Sequence, residues 1–120
     1  MSVLWIITLF LLKHFIADFV LQTQYQFSHK GIYGHRGGVL HAFIHALGTA
    51  LVLFLFSWKF ALLAALADGI VHYHVDWVKS NLISHYKLTE KERWFWIIFG
   101  LDQLIHELTY VVIIFFFLSI

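Results

Sequence analysis

The sequence predicts an all-α membrane protein: a four-helix bundle crossing the bilayer four times, built as two helical hairpins repeated in parallel. Three observations predict it. Of 120 residues, 61% are hydrophobic and only 12% charged, against about 25% charged in soluble domains. Four apolar stretches have the length of a membrane crossing. The same polar residues recur, at the same spacing, in the first and second halves of the chain.

Crossing a hydrocarbon core of about 30 Å takes about 20 helical residues, and residues 3–27, 39–56, 60–83 and 94–118 qualify. The first stretch begins "MSVLWIITLFLLKHFIADFVLQ". It lacks a basic start and a small-residue cleavage site, so it is expected to stay as a helix rather than leave as a signal peptide. The breaks are a glycine-rich polar loop at 28–38, a tight turn "SWK" at 57–59, and a charged loop at 84–93 with a helix start expected at Thr89. Residues 1–120 are expected to form one transmembrane domain. Cysteine is absent, which excludes disulfides and thiolate metal sites. A net charge of +1 gives no basic field for nucleic acid.

Four crossings put both termini on one side. Lys30 and Arg36 fall in the first long loop and Lys87, Lys91 and Arg93 in the second, whereas the opposite side offers only Lys59 and the amino terminus. Positive charge stays in the cytoplasm, so loops 28–38 and 84–93 are expected there and the termini outside. Trp77, Tyr86, Trp94 and Trp96 lie toward the basic side, Trp5 and Trp58 toward the other, as interface belts do.

The repeat rests on polar positions. "HFIADFV" at His14 and "HYHVDWV" at His72 share His-x-x-x-Asp-aromatic-Val; "LHAFIHAL" at Leu40 and "LDQLIHEL" at Leu101 share Leu-[His/Asp]-x-x-Ile-His-x-Leu. The offsets are 58 and 61, the three extra residues falling in a loop. Both hairpins run the same way through the membrane, which implies a pseudo-twofold axis along its normal.

Residues four apart share a helix face. Each helix therefore carries one ligand-like pair: His14/Asp18, His41/His45, His72/Asp76 and Asp102/His106. Counted at about 1.5 Å per residue from the cytoplasmic ends, the pairs occupy overlapping depths of about 5–20 Å. An ionisable group in the membrane costs several kcal/mol unless compensated, and carboxylates with imidazoles from facing helices are how bundle cores build metal sites. These eight residues are the expected ligands of one or two divalent ions, zinc first, with manganese or iron as alternatives. An unmetallated hydrogen-bonded or proton-relay network is the competing reading. Haem needs only paired axial histidines and leaves the aspartates unexplained. Gln22, Gln103 and Lys79 flank the pairs.

Lys13, Asp68 and Glu107 fall at a common depth about 20 Å from the cytoplasmic ends. Two readings stand open: a Lys13–carboxylate contact closing the bundle below the site, or an outward-reaching Lys13 with Asp68 joining the metal cluster through His72. Ala46/Ala50, Ala61/Ala65 and Gly48 read as helix contacts, and His29, His35 and His85 as solvated loop residues. The Gly31–Gly38 loop lacks the Gly-Lys-Ser/Thr ending of a phosphate loop.

Taken together, "HFIADFVLQTQ", "LHAFIH", "HYHVDWVK" and "LDQLIHEL" resemble the Domain-of-Unknown-Function 3307 family of small membrane proteins from bacteria and their phages. The resemblance covers nearly the whole chain. It implies that His14, Asp18, Gln22, His41, His72, Asp76, Lys79, Asp102, Gln103 and His106 belong to the family pattern, and it supplies no reaction.

The expected function is that of a metal-dependent membrane hydrolase acting on a lipid or other amphipathic substrate. His45, Lys79 and Gln22 are its candidate catalytic groups, His45 as ligand or general base and the other two on the substrate side. The alternatives are a non-enzymatic membrane protein with a structural metal, engaged in a phage–host contact, and an ion- or proton-binding transporter. Membrane lipids are the expected surroundings, a homo-oligomer the assembly that transport would require.

Overall fold

The structure is a computed structural model that describes residues 2–119; the placement expected for the chain ends, Met1 and Ile120, lies outside the described residues. Five helices follow in order: α1 (Val3–Phe15), α2 (Gln24–His29), α3 (Arg36–Phe54), α4 (Trp58–His85) and α5 (Arg93–Leu118). Four are long. No strand occurs among the described residues.

The first helix departs from expectation. It does not run on to residue 27. After Phe15 the chain makes one wide π-helical turn, Ile16–Val20, in which Leu21 N–H reaches back five residues to Ile16 O at 2.8 Å. It then leaves helix altogether at Leu21–Thr23. Thr23 restarts it: its hydroxyl accepts from Gln26 N–H at 3.3 Å, capping α2. A π turn inserts one residue into the helical register, and such turns cluster at functional sites; this one carries Asp18. Gln22 Nε2 donates to Asp18 O at 2.8 Å, satisfying a carbonyl at the helix end.

The other boundaries shift by two or three residues at most, each for a local reason. His35 Nδ1 accepts from Gly37 N–H at 3.0 Å, so α3 starts at Arg36 rather than residue 39. Ser57 Oγ accepts from Phe60 N–H at 3.3 Å, so α4 starts at Trp58. The expected start at Thr89 does not form a helix. Glu92 instead folds back on Thr89, accepting from its N–H and hydroxyl, and α5 begins at Arg93. At the other end of that loop Lys87 adopts φ 51°, the left-handed conformation that closes α4, with Leu88 N–H bonded to Ile83 O at 2.9 Å.

α3 packs along α4, α4 along α5, and α1 against both α3 and α5, while α2 lies on α3. The interior has two zones. Ile6, Phe10, Leu53, Ala61, Ala64, Tyr110, Ile113 and Ile114 form an apolar cluster toward the ends of α1 and α5 nearest the termini. The remainder is polar. Among the described residues, fourteen buried side chains are polar or charged against eleven apolar, while leucines, phenylalanines and tryptophans cover the outside. A soluble protein sorts the other way; an apolar exterior around a polar interior suits lipid.

Among the described residues, three helical segments are long and apolar enough to cross a membrane: Val3–Val20, Arg36–Phe54 and Arg93–Leu118. The fourth expected crossing, α4, is long enough but less apolar, because it carries Asp68, His72, His74, Asp76 and Lys79. The molecule measures 44 Å along its longest axis, matching a bilayer of about 40–45 Å with its headgroup regions.

Small residues mark the close helix contacts, as expected. A Cβ on Gly69 would lie 3.2 Å from Ala46 Cβ, Ala61 and Ala65 are buried, and Gly48 lies under the stem of Lys13.

Candidate metal centre

The i,i+4 spacing and the π turn bring the polar faces of four elements to one point. The Nε2 atoms of His45, His41 and His72, from α3 and α4, lie 2.7, 3.0 and 3.8 Å from a single oxygen, Asp18 Oδ1. Asp76 forms the second focus. His72 Nε2 is 3.1 Å from its Oδ2, and His106 Nε2 is 3.2 Å from its Oδ1. His72 joins the foci, its ring stacked between those of His45, 3.5 Å away, and His106, 3.8 Å away. All six residues are buried.

Two sets of ligand atoms result, each within 4.8 Å of one another: Asp18, His41, His45 and His72, and then His72, Asp76 and His106. Either can hold a metal ion. The hydrogen bonding around His41 favours a cation, whereas the Nδ1 atoms of His45 and His72 have no partner among the described residues. His41 Nδ1 lies 3.2 Å from Gln26 Oε1, which only accepts, so the ring proton sits on Nδ1. The bare Nε2 lone pair then faces the Asp18 carboxylate at 3.0 Å. Two lone pairs at that distance repel unless a proton or a metal ion stands between them. The same holding of the far ring nitrogen is how metal-binding histidines are oriented. Asp76 Oδ2 lies 3.1–3.4 Å from His72, Lys30 and His41, yet makes no aligned hydrogen bond. A buried carboxylate oxygen ringed by nitrogens but bonded to none is a ligand-like atom.

The remaining predicted residues surround these sets. His14 is buried beside them, with Nε2 3.1 Å from Asp18 Oδ2, but belongs to neither set. Its Nε2 donates to Gln103 Oε1 at 2.8 Å and its Nδ1 accepts from Tyr110 OH at 2.7 Å. The Gln103 amide fixes that arrangement, since its NH2 donates to Asp102 Oδ2 at 3.1 Å and to Asp18 Oδ2 at 3.4 Å. Asp102 also stands outside both sets, with Oδ1 3.2 Å from His106 Nε2. Lys79 donates to Asp102 Oδ2 at 3.1 Å and lies 3.7 Å from Asp76 Oδ1. Gln22 is half-buried, with an unpartnered Oε1.

Asp68 resolves the choice left open by the sequence. Lys13 Nζ donates to Asp68 Oδ2 at 2.7 Å, Thr49 Oγ1 donates to the same oxygen at 2.6 Å, and Asp68 belongs to neither metal set. Glu107 is exposed and takes no part in this pair. Lys13 also lies 3.3 Å from Tyr110 OH, which links the pair to His14.

Four participants escaped the sequence reading: Lys30, Gln26, Thr49 and Tyr110. Lys30, expected in a solvated loop, is 4% exposed and places Nζ 3.2 Å from Asp76 Oδ2. α2 brings it and Gln26 inward. The signal was Thr23-Gln-Tyr-Gln26, a capping-box spacing that announces a new helix. Thr49 and Tyr110 stand 61 residues apart, the offset of the second repeat pair, and both serve the Lys13–Asp68 pair. His29 and His35 are half-buried rather than solvated, because α2 stacks their rings 4.0 Å apart; His85 is exposed at the end of α4.

A family model described as "Protein of unknown function (DUF3307)" matches residues 6–120. No curated protein and no solved structure matches the chain.

Proposed function

We propose, from the premise that this chain belongs to the DUF3307 family, that it is an integral membrane protein with a divalent-metal centre and acts as a metal-dependent hydrolase on a lipid-like substrate. The observation that carries the reading is the convergence of three imidazole Nε2 atoms on Asp18 Oδ1 inside an apolar shell. α4 is the fourth crossing, the loops carrying Arg36 and Lys87 face the cytoplasm, and the termini lie outside in a bacterial inner membrane. Contacts support the repeat. Asp18 meets His45 and Asp76 meets His106, and these partners correspond under the offsets of 58 and 61. The four long helices then form a bundle about a pseudo-twofold axis.

Nitrogen and carboxylate donors without thiolate suit zinc, then manganese or iron. The set His72, Asp76 and His106 offers three protein donors, the pattern of catalytic sites that keep a position for water or substrate. An ion held there supplies the acidity that readies water for attack at neutral pH. The chain's own residues do the rest. Asp76 supplies the carboxylate donor between the two imidazoles, Asp102 lies beside His106, and Lys79 presents a cation beside both carboxylates. Hydrolysis adds water across the ester bond, the oxygen to the acyl or phosphoryl centre and a proton to the leaving oxygen. His45 is the ligand or base of the neighbouring set. An imidazole nitrogen has one lone pair, so His72 Nε2 serves one set at a time.

One observation favours a second reading. The set Asp18, His41, His45 and His72 supplies four buried donors, the closed shell of a structural ion. Elemental analysis of the detergent-purified chain beside Asp18→Asn and Asp76→Asn, with product release from a fluorescent phospholipid in vesicles, tests both. Stoichiometric zinc with turnover abolished in Asp76→Asn supports the hydrolase. Zinc without turnover leaves the structural ion, and absence of any metal sinks the centre.

A further inference from the structure

Resting on that metal centre, we infer that the substrate is a phosphate ester of a long-chain alcohol or lipid, with Lys30 and Lys79 as its anion-binding residues and the α4–α5 groove as the seat of its hydrocarbon chain. Two buried lysines converge on one carboxylate from opposite sides: Lys30 Nζ is 3.2 Å from Asp76 Oδ2 and Lys79 Nζ 3.7 Å from Asp76 Oδ1. They are 4% and 8% exposed. Lys30 is paired with Asp76 and Lys79 chiefly with Asp102, at 3.1 Å, and each ammonium removed from water carries a desolvation cost.

Formal charge sets what such a site attracts. Around the two ligand sets stand three carboxylates, Asp18, Asp76 and Asp102, and two ammonium groups, Lys30 and Lys79; Lys13 and Asp68 cancel each other. With every histidine neutral, as metal binding requires of its ligands, the balance is +1 with one divalent ion. A single positive charge in a low-dielectric interior calls for an anion. A carboxylic ester brings none, whereas a phosphodiester brings one and a phosphomonoester one or two.

The hydrocarbon part has its own feature. Between α4 and α5 runs a groove of about 390 Å³, walled by Val75, Val78, Leu82, Ile98, Leu101 and Ile105. Its charged lining is Lys79 and Asp102. Asp102 is bonded to Lys79 and lies against His106 of the three-donor set. An apolar trough with a buried ammonium in its lining matches an anionic headgroup on a single chain, and distinguishes such a ligand from free phosphate.

The test uses the zinc-loaded full chain in detergent with three probes: hexadecyl phosphate, hexadecanol and inorganic phosphate. Binding is read by native mass spectrometry and zinc by elemental analysis of the same samples. Hexadecyl phosphate is expected to bind one per chain, at least tenfold tighter than hexadecanol. Lys30→Met should erase that preference while zinc content stays unchanged. Leu101→Trp, which fills the groove, should weaken hexadecyl phosphate and leave inorganic phosphate as it was. Equal binding of hexadecyl phosphate and hexadecanol by the unaltered protein overturns the inference, whatever the variants do. Zinc without discrimination refutes this inference alone; a chain that binds no zinc refutes the metal centre and this inference with it.

Discussion

Lys13 and Asp68 offer the sharpest test of how the interior is held. Their contact is 2.7 Å, and both are buried, 8% and 1% exposed. At an effective dielectric of about 20, the attraction across that gap is about 6 kcal/mol before desolvation is charged against it. Replacing Lys13 by Met keeps the stem that covers Gly48 but strands a buried carboxylate with only the Thr49 hydroxyl. Such a loss costs about 3–5 kcal/mol. Asp68→Asn strands the ammonium and costs a similar amount. The double variant Lys13→Met/Asp68→Asn removes both charges and lets the new amide oxygen accept from Thr49, so it should lie within about 1–2 kcal/mol of the parent. Unfolding by dodecyl sulfate in mixed micelles measures all four proteins, and the non-additivity of the cycle isolates the pair. A Lys13→Met variant that loses less than about 1 kcal/mol, or a cycle that adds, refutes the account.

Other expectations follow from single contacts. Gly48→Ala would bring a Cβ within 2.6 Å of Lys13 Cγ; it should cost about 1–3 kcal/mol in the same assay and less in the Lys13→Ala background. Gly37→Ala would press on Tyr25 O at 2.8 Å, separating α2 from α3, and should raise hydrogen exchange at Gln26 and Lys30. Asp18→Asn should abolish metal binding at the four-donor set, read as lost zinc, with helix content by circular dichroism unchanged. The Thr89 hydroxyl and N–H hold the exposed Glu92 carboxyl below its usual range. The folded pKa is depressed, so the turn is stabilised above the unfolded value and loosens as pH falls through the folded one; Thr89 exchange at pH 6 and at pH 3 reads it.

The helices were legible because they are long, apolar runs bounded by polar and glycine-rich breaks, and their polar faces because a four-residue spacing is written directly in the chain. Asp18, His41, His45, His72, Asp76 and His106 met as that spacing required. What escaped depended on position in space. Lys30 stands just before the glycines of Gly31–Gly38 and reads as the charge of a polar loop; only the turn of α2 toward α3 buries it. The break at Leu21–Thr23 was masked by the apolar residues before it, which read the same in an α-helix as in a π turn. Thr49 and Tyr110 lie outside the recurring His/Asp phrases, and a hydroxyl on an apolar face gives no sign of the carboxylate or ammonium it will meet. His14 and Asp102 carried the right residue types at the right spacing, but hydrogen bonds to Gln103 and Lys79 turn them toward support.

On the proposed four-crossing topology, the dispersal of charge along α4 bears on how the protein is made. This helix carries Asp68, Asp76 and Lys79, and a charged residue near the middle of a helix adds about 2.5–3.5 kcal/mol to its entry into lipid during synthesis. Its compensating partners come from elsewhere: Lys13 from the start of the chain, Lys30 from the segment after α2, Asp102 from α5. Lys13 and Lys30 have left the ribosome when α4 emerges; Asp102 has not. α4 therefore gains from waiting at the edge of the translocon, beside the earlier helices, until α5 arrives. On that topology a chain truncated before Asp102 should remain there or be degraded, and release of α4 and α5 into the bilayer becomes a concerted event.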